Sequence, residues 1–337
     1  MGRRSKILGK CFSWRLVFAP VVALLALTIY MLCVRSGVRS AIVFDVVRGD
    51  NVTSVANRLE KNGYVDFAEL FKFAVKLNGG KIQSGQYDIP KGASTWRIAD
   101  MLANGRVATV TIVIPEGLTV KQIKNLLINN SGLTGGVECV KDKSAPVCNL
   151  QDGQIFPDTY TVARGTSRMA FLDLMRKKMK ALENAMVKSY RRYPRPLKSW
   201  DDVVTLASIV QKETPQVREM PIVASVYLNR LRRGMRLQAD PTVVYALTDG
   251  LGDMQGRALL SGHLKIDSPY NTYRNSGLPP APIANVGQKA IGAILKPADT
   301  NFLFFVADGQ GGHVFSKTYD EHKKNHNAWR KIKRLQN

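Results

Sequence analysis

Histidine, cysteine and acid are the scarce residues of this 337-residue chain: four His, four Cys, and 26 Asp and Glu against 49 Lys and Arg. No CxxC and no Cys/His ligand spacing occurs, so the sequence gives no support for a zinc site. His322 and His326 are four apart but lack the Glu of an HExxH motif, and Gly311-Gly312 is no phosphate loop because GxxxxGK[ST] is absent. No cofactor is expected. Apolar residues are not lacking: at 45% they suffice for the cores of two compact domains, which excludes a disordered chain.

The deficit of acid leaves a net charge of +23, which by itself points to nucleic acid, a membrane surface or an anionic polymer. Topology separates these. Residues 16–34, LVFAPVVALLALTIYMLCV, carry no charge, and at 1.5 Å per residue they span most of a bilayer's hydrocarbon core. Arg3, Arg4, Lys6, Lys10 and Arg15 precede the run, so the positive-inside rule keeps residues 1–15 in the cytoplasm and exports everything after about residue 35. A cleaved signal peptide is the competing reading, but SGVRSAI offers no clear small-x-small cleavage site. Export removes nucleic acid as a partner and leaves anionic lipid and carboxylate-bearing polymers. Arg176, Lys177, Lys178, Lys180, Lys188, Arg191 and Arg192, like the cluster from Lys323 to Arg334, read as solvated helix faces. Cys139 and Cys148 both fall in the exported part, where a local disulfide would contribute roughly 2–3 kcal/mol.

Beyond the run, three copies of one pattern recur: a strand, a glycine turn, an N-capping residue and a short amphipathic helix. They centre on Arg48 to Asn51, Lys91 to Ser94 and Glu116 to Thr119. TVTIVI at 109–114 reads as a buried strand. Pro157 breaks regular structure in IFPDTY at 155–160, which places Asp158 and Tyr160 on a loop with their polar tips free. A basic helix is expected over 167–190.

The next helix, containing LASIVQKET at 206–214, carries the chemistry. On a 3.6-residue period Glu213 falls within about 20° of Leu206, 40° of Ile209 and 60° of Val210, so it ends an apolar stripe and points inward. Gln211 falls roughly 160° away, on the polar side. An inward carboxylate either has a satisfying partner or a raised pKa, and a raised pKa makes it a general acid. Downstream, Gln238 and Asp240 precede a Pro-started helix over 242–247, where Asp240 either serves the site or caps the helix. Asn271, Thr272 and Tyr273 lie in a Pro- and Gly-bounded loop whose amide and phenol groups suit sugar hydroxyl and acetamido groups. Phe302 to Ala307 reads as a strand that returns through Val314 and Phe315, and His313 beside the turn is read as structural.

LASIVQKET and IFPDTY combine with PIVASVYLNRLRRGMRLQADPTVVYAL at 221–247, SPYNTYRNSGLPPAPIAN at 268–285 and FLFFVADGQGGHVFSKTYDEH at 302–322. Together they closely resemble the YceG-like endolytic murein transglycosylases over residues 115–325. Residues 41–114 resemble the LysM-like module that precedes the catalytic domain in such proteins. The resemblance implies an α+β chain with a single N-terminal transmembrane helix at 16–34, a small LysM-like module at 41–114 and a lysozyme-related catalytic domain at 115–337. It implies Glu213 as the catalytic acid/base. Substrate contacts are then expected at Gln238, Asp240, Asn271, Tyr273, Asp158 and Tyr160. Relatives often carry a second Glu where this chain has Gln211, and a Thr where it has Ala239. The implied reaction cuts nascent peptidoglycan without water, and the implied partners are glycan strands, penicillin-binding synthases and the elongation machinery. Two rivals stay open: a glycoside hydrolase using Glu213 and Asp240, and a non-enzymatic peptidoglycan-binding scaffold.

Overall fold

The computed structural model describes residues 14–34, 37–139, 144–190, 192–252, 254 and 256–336. Arg3, Arg4, Lys6, Lys10, Cys11, Arg35 and Arg191 lie outside the described residues. The architecture is α+β, in two compact units: residues 1–110 with 162–165, and residues 111–161 with 166–337.

In the first unit the uncharged run forms helix α1 (Trp14–Ile29), which contains Pro20 and continues as a π-helical turn, Tyr30–Val34. The 16 residues of α1 reach about 24 Å at 1.5 Å per residue. Among the described residues no helix is long and apolar enough to cross a membrane. Even so, Val21, Val22, Leu24, Leu25, Leu27 and Ile29 are each more than half exposed.

Strand β1 (Ile42–Val46) is followed by α2 (Val52–Lys61), α3 (Ala68–Leu77), β2 (Gly85–Ile89) and α4 (Thr95–Ala103). β1 pairs antiparallel with β2, Phe44 opposite Tyr87, so Phe44, Val46, Tyr87 and Ile89 share the inner face. They pack on Val55, Leu59, Phe71, Ile98 and Leu102, the apolar stripes of three helices. The expected repeat has a common geometry here. Gly49 and Gly92 sit at φ +100° and +78°, where a side chain would be strained, and each turn delivers the chain to an N-cap. Asn51 and Ser94 accept from the backbone N–H of Ser54 and Arg97 at 2.8 and 3.3 Å.

The second unit takes over within β3 (Thr109–Val113) and continues through α5 (Val120–Ile128), β4 (Leu133–Thr134), β5 (Thr159–Ala163) and β6 (Thr166–Ser167). Thr119 caps α5 in a capping box with Gln122, the third copy of the repeat. Between β4 and β5, Cys139 and Cys148 are joined in a disulfide with Cα atoms 5.6 Å apart. β3 departs from the expected buried strand: it lies in a two-stranded sheet with β5, Ile112 alone of its five residues is buried, and Val113 is exposed. With one face covered, the strand alternates in burial, Thr109 and Thr111 facing out and Ile112 in.

Helix α6 (Arg168–Ser189) carries the basic cluster as a solvated face: Arg176 and Lys177 pair with Asp173, Lys180 with Glu183, and Lys178 with Asp158. The core of the unit is built around α7 (Trp200–Glu213), started by a capping box between Ser199 and Asp202. Around it lie α8 (Met220–Arg232), α9 (Asp240–Leu247) and α10 (Gln288–Leu295). Every residue from Val203 to Val210 is buried, so α7 is wrapped on all sides rather than buried along one stripe. The hairpin of β7 (Phe304–Ala307) and β8 (His313–Ser316) follows, and α11 (Tyr319–Gln336) packs against both strands.

Asn285, fully buried, ties three segments together. Its Oδ1 accepts from Gly153 N and Ile155 N, both at 3.0 Å, while Nδ2 donates to Leu118 O at 3.0 Å. Asn285→Ala strands the two buried N–H groups of Gly153 and Ile155, each costing about 1–3 kcal/mol, while Leu118 O keeps the bond from the backbone N–H of residue 285. A loss of roughly 2–6 kcal/mol is expected in denaturant melts, and a change below about 1 kcal/mol would show that water replaces the amide.

Candidate active site

Glu213 is the last residue of α7, and the chain leaves the helix there because Thr214 is extended at φ −136° and ψ 130°. The carboxyl is half-buried. Tyr227, one face of α8 and almost fully enclosed, donates its hydroxyl to Glu213 Oε1 at 2.6 Å. That bond occupies Oε1 and leaves Oε2 to carry an acid proton. Burial pushes the Glu213 carboxyl up to about 7; the Tyr227 bond opposes this, Asp240 adds to it, and Arg230 opposes it less. Burial and the neighbouring carboxylate also hold Tyr227 well above the usual phenol range, so it stays a donor.

Arg230, three residues beyond Tyr227 on the same face of α8, is buried with it. Its Nε and one terminal nitrogen donate to Leu303 O and Leu237 O at 2.6 and 2.7 Å, and its guanidinium lies 5.3 Å from the centre of the Phe304 ring. Phe305 meets Tyr227 edge-on at 5.8 Å. Tyr227, Arg230 and Phe305 line a cavity of about 320 Å³ with Glu213, Gln238, Asp240, Tyr273 and His322. A second cavity of about 270 Å³, lined by Lys212, Pro241, Val244, Tyr245, Gly252 and Ile283, also includes Glu213 and Asp240. The two carboxyls thus sit where two cavities meet.

Asp240 opens α9 without capping it, because no side chain bonds at that N-cap; its Oδ1 instead accepts from the Tyr273 hydroxyl at 2.5 Å. Gln238, at φ +49°, holds a left-handed conformation that non-glycine residues adopt at a cost, on the rim of the cavity. Three of the expected contact residues, Gln238, Asp240 and Tyr273, therefore gather around Glu213.

The other three do not. Asn271 is fully buried: its Nδ2 donates to Leu264 O and Ile266 O at 3.0 and 2.8 Å, and its Oδ1 accepts from Tyr273 N at 3.0 Å, so its amide organises the loop that presents Tyr273. Thr272 bonds Ala239 N at 3.0 Å and fixes the start of α9. Asp158 pairs with Lys178 and accepts from Thr159 N at 2.7 Å. Tyr160 lies on β5 rather than on a loop; it is buried against Phe171, and its hydroxyl donates to Phe156 O at 2.6 Å. Both residues lie outside the two cavities at Glu213. Gln211, expected on a polar face, is half-buried and accepts from Gly287 N at 3.2 Å. His313 bonds buried Glu219 at 2.8 Å beneath the β7–β8 turn.

His322, from α11, reaches the cavity by stacking on Phe304 at 5.3 Å. Burial, then His326 and Arg230, push its imidazole below the usual value, so it is neutral at pH 7. Periodicity on α8 signals Arg230, which follows Val223 and Tyr227 by seven and three residues; nothing local signals His322, which arrives through the hairpin and α11.

The arrangement resembles that of known proteins across most of the chain. The model of the YceG-like family matches residues 44–328. The chain belongs to the YceG-like family. Within it, the endolytic murein transglycosylase of Bacillus subtilis (strain 168) is 30% identical over 310 residues, covering 85% of this chain and 84% of that protein. The endolytic murein transglycosylase of Streptococcus pneumoniae serotype 2 (strain D39) is 26% identical over 318 residues, and this chain spans 57% of its length. A crystal structure of a YceG-like protein from Listeria monocytogenes superposes with a TM-score of 0.51 at 29% identity, over 85% of this chain and 99% of that one. Family membership thus rests on sequence and fold together.

Proposed function

We propose that this chain is an endolytic murein transglycosylase. It cleaves the MurNAc-GlcNAc β-1,4 bond within peptidoglycan strands and leaves 1,6-anhydroMurNAc ends. The observation that carries this reading is Glu213, a carboxyl pushed up to about 7 at the junction of two cavities, with one oxygen fixed by Tyr227. A cavity on either side suits a cut inside a polymer.

In this mechanism the Oε2 proton of Glu213 passes to the glycosidic oxygen as the C1–O bond breaks through an oxocarbenium-like state. The resulting Glu213 carboxylate then takes the proton of the muramyl C6 hydroxyl, whose oxygen bonds to C1. One carboxyl serves both steps, with no water consumed and no proton gained or lost. Asp240, held by Tyr273, offsets the developing positive charge on the sugar. Gln238 and Tyr273 contact the sugar's polar groups.

The uncharged run at 16–34 anchors the protein in the cytoplasmic membrane, with the N-terminus in the cytoplasm and the catalytic domain at 115–337 outside. The more than half-exposed apolar side chains of α1 and the Cys139–Cys148 disulfide support this placement. Residues 41–114 act as a LysM-like module that holds the glycan or spaces the domain from the membrane. Cleavage close to the membrane ends the growth of new strands, beside penicillin-binding synthases and the elongation machinery.

Asp240 lines the same cavities as Glu213, which keeps the hydrolase alternative in view. Mass spectrometry of murein digests of the wild type and Asp240→Asn separates the two. Anhydro ends are expected from both proteins, with a partial loss of rate in the variant. Reducing ends, together with a loss in Asp240→Asn as deep as that of a Glu213 variant, would make the enzyme a hydrolase.

A further inference from the structure

A third cavity of about 680 Å³ begins where the second one ends, because Tyr245 lines both. Its aromatic wall is the pair Tyr245 and Tyr270, with ring centres 4.8 Å apart and planes tilted by 47°. The wall is held in place from behind. Tyr245 donates its hydroxyl to Asp152 Oδ2 at 2.7 Å, and Asp152 Oδ1 accepts from Val120 N, at the first turn of α5, at 2.6 Å. Val120, Leu150, Pro269 and Pro282 add apolar surface.

The charged groups that line this cavity, Lys121, Lys124, Asp152 and Asp249, all have partners already. Lys121 pairs with Asp249 at 2.7 Å, and Lys124 with Glu138 at 2.9 Å. The site therefore offers aromatic and apolar surface inside a neutralised rim. Such a surface suits an uncharged ring with one apolar C–H face and hydroxyls at its edge, which describes a pyranose; an anionic peptide would need unpaired cations. The volume is more than twice that of the adjoining 270 Å³ cavity, so the site has room beyond the residue next to the cut.

We propose that the cavity walled by Tyr245 and Tyr270 is a distal glycan subsite, which binds sugar rings of the strand beyond those at Glu213 and makes cleavage favour long strands. This rests on the transglycosylase reading above. The site supplies binding and no chemistry, so its effect is on the selection of strand length.

The test measures kcat/KM on peptide-free glycan strands of many disaccharides and on a short oligosaccharide of two disaccharides, with the full chain in detergent. Tyr270→Leu keeps apolar volume but removes the ring, and its long-to-short ratio is expected to fall about ten-fold. Tyr270→Phe restores the ratio, which a merely structural role for the hydroxyl or the packing would not predict together with the loss in Leu. Ala246→Trp fills the cavity from its wall without deleting a core contact, and lowers the ratio even if Tyr270→Leu fails to fold. Replacing Lys121 and Lys124 together by Ala leaves the ratio as it was.

An unchanged ratio in both Tyr270→Leu and Ala246→Trp overturns the subsite. So does a loss seen only with peptide-bearing strands and only in the lysine double variant, which would assign the cavity to stem-peptide carboxylates. Absence of anhydro ends from the wild type on either substrate would instead sink the transglycosylase reading, a failure distinguishable from that of the subsite.

Discussion

Replacing Glu213 by Gln is expected to lower murein cleavage by about 10²- to 10⁴-fold while the protein stays folded. The substitution is isosteric and keeps an oxygen to accept from Tyr227, so the 2.6 Å bond that orients the side chain can survive. What disappears is the proton. In a single-carboxyl mechanism the same group protonates the leaving oxygen and then deprotonates the C6 hydroxyl, so both halves of the reaction fail together. Folding should not suffer: burial disfavours the charged form of Glu213, and a neutral amide removes that penalty. A raised carboxyl pKa destabilises the fold above it, by at most roughly 3 kcal/mol for a group moved from 4.5 to about 7. Thermal melts at pH 8 should therefore find Glu213→Gln at least as stable as the wild type, beside a digest without anhydro ends. Anhydro ends at the wild-type rate would remove Glu213 from the chemistry, and an unfolded variant would make its role structural.

The half of the site that lies on one helix was legible in the sequence, because spacing alone sets which side chains share a helical face. Glu213 follows Leu206 by seven residues and Ile209 by four, and the structure does enclose those neighbours completely. Gln238, Asp240 and Tyr273 were also within reach, through the turn chemistry that brackets them. Asn271 was misplaced because an amide in a Pro- and Gly-rich loop reads as free, whereas its bond to Tyr273 N, two residues on, is the local turn that such residues often make. Asp158 does lie on the loop, but its carboxylate is taken by Lys178, and Tyr160 was misplaced for a different reason. Pro157 ends regular structure before it, but β5 begins at Thr159 because β3 is there to pair with it, a partner 50 residues away that no local pattern reports.

Arg230 hid in RLRR, where three arginines look alike until the phase of α8 is drawn: Arg230 turns inward with Val223 and Tyr227, while Arg232 and Arg233 stay exposed. The same period that exposed Glu213 applies there. His322 is beyond such reasoning. It comes to the cavity because the β7–β8 hairpin folds α11 back onto Phe304, which is a matter of tertiary packing. The fold class followed from the family resemblance, and the wrapping of α7 on all sides depended on how many helices the rest of the chain sends around it.

The pH profile of cleavage is expected to fall above about pH 7, and two substitutions should move that limb in opposite directions. The acid form of Glu213 acts first, and its fraction drops ten-fold per pH unit above a value of about 7. The hydrogen bond from Tyr227 favours the carboxylate, so Tyr227→Phe raises the Glu213 value and carries the limb to higher pH. The charge on Asp240 favours the protonated form, so Asp240→Asn lowers the value and carries the limb to lower pH. Both variants lose some rate at the optimum through altered positioning, but the direction of each shift is independent of that loss. Stability carries the same signature with its own sign. The folded value lies above the ordinary 4.5, so between pH 4.5 and about 7 the folded protein binds more protons than the unfolded chain, and stability declines as pH rises across that window. Glu213→Gln should flatten the decline. kcat/KM measured from pH 5 to 9 on the three proteins, at constant ionic strength, decides the matter. Limbs moving apart identify Glu213 as the titrating acid, whereas limbs that coincide, or move together, place the controlling ionisation on another group or on the substrate.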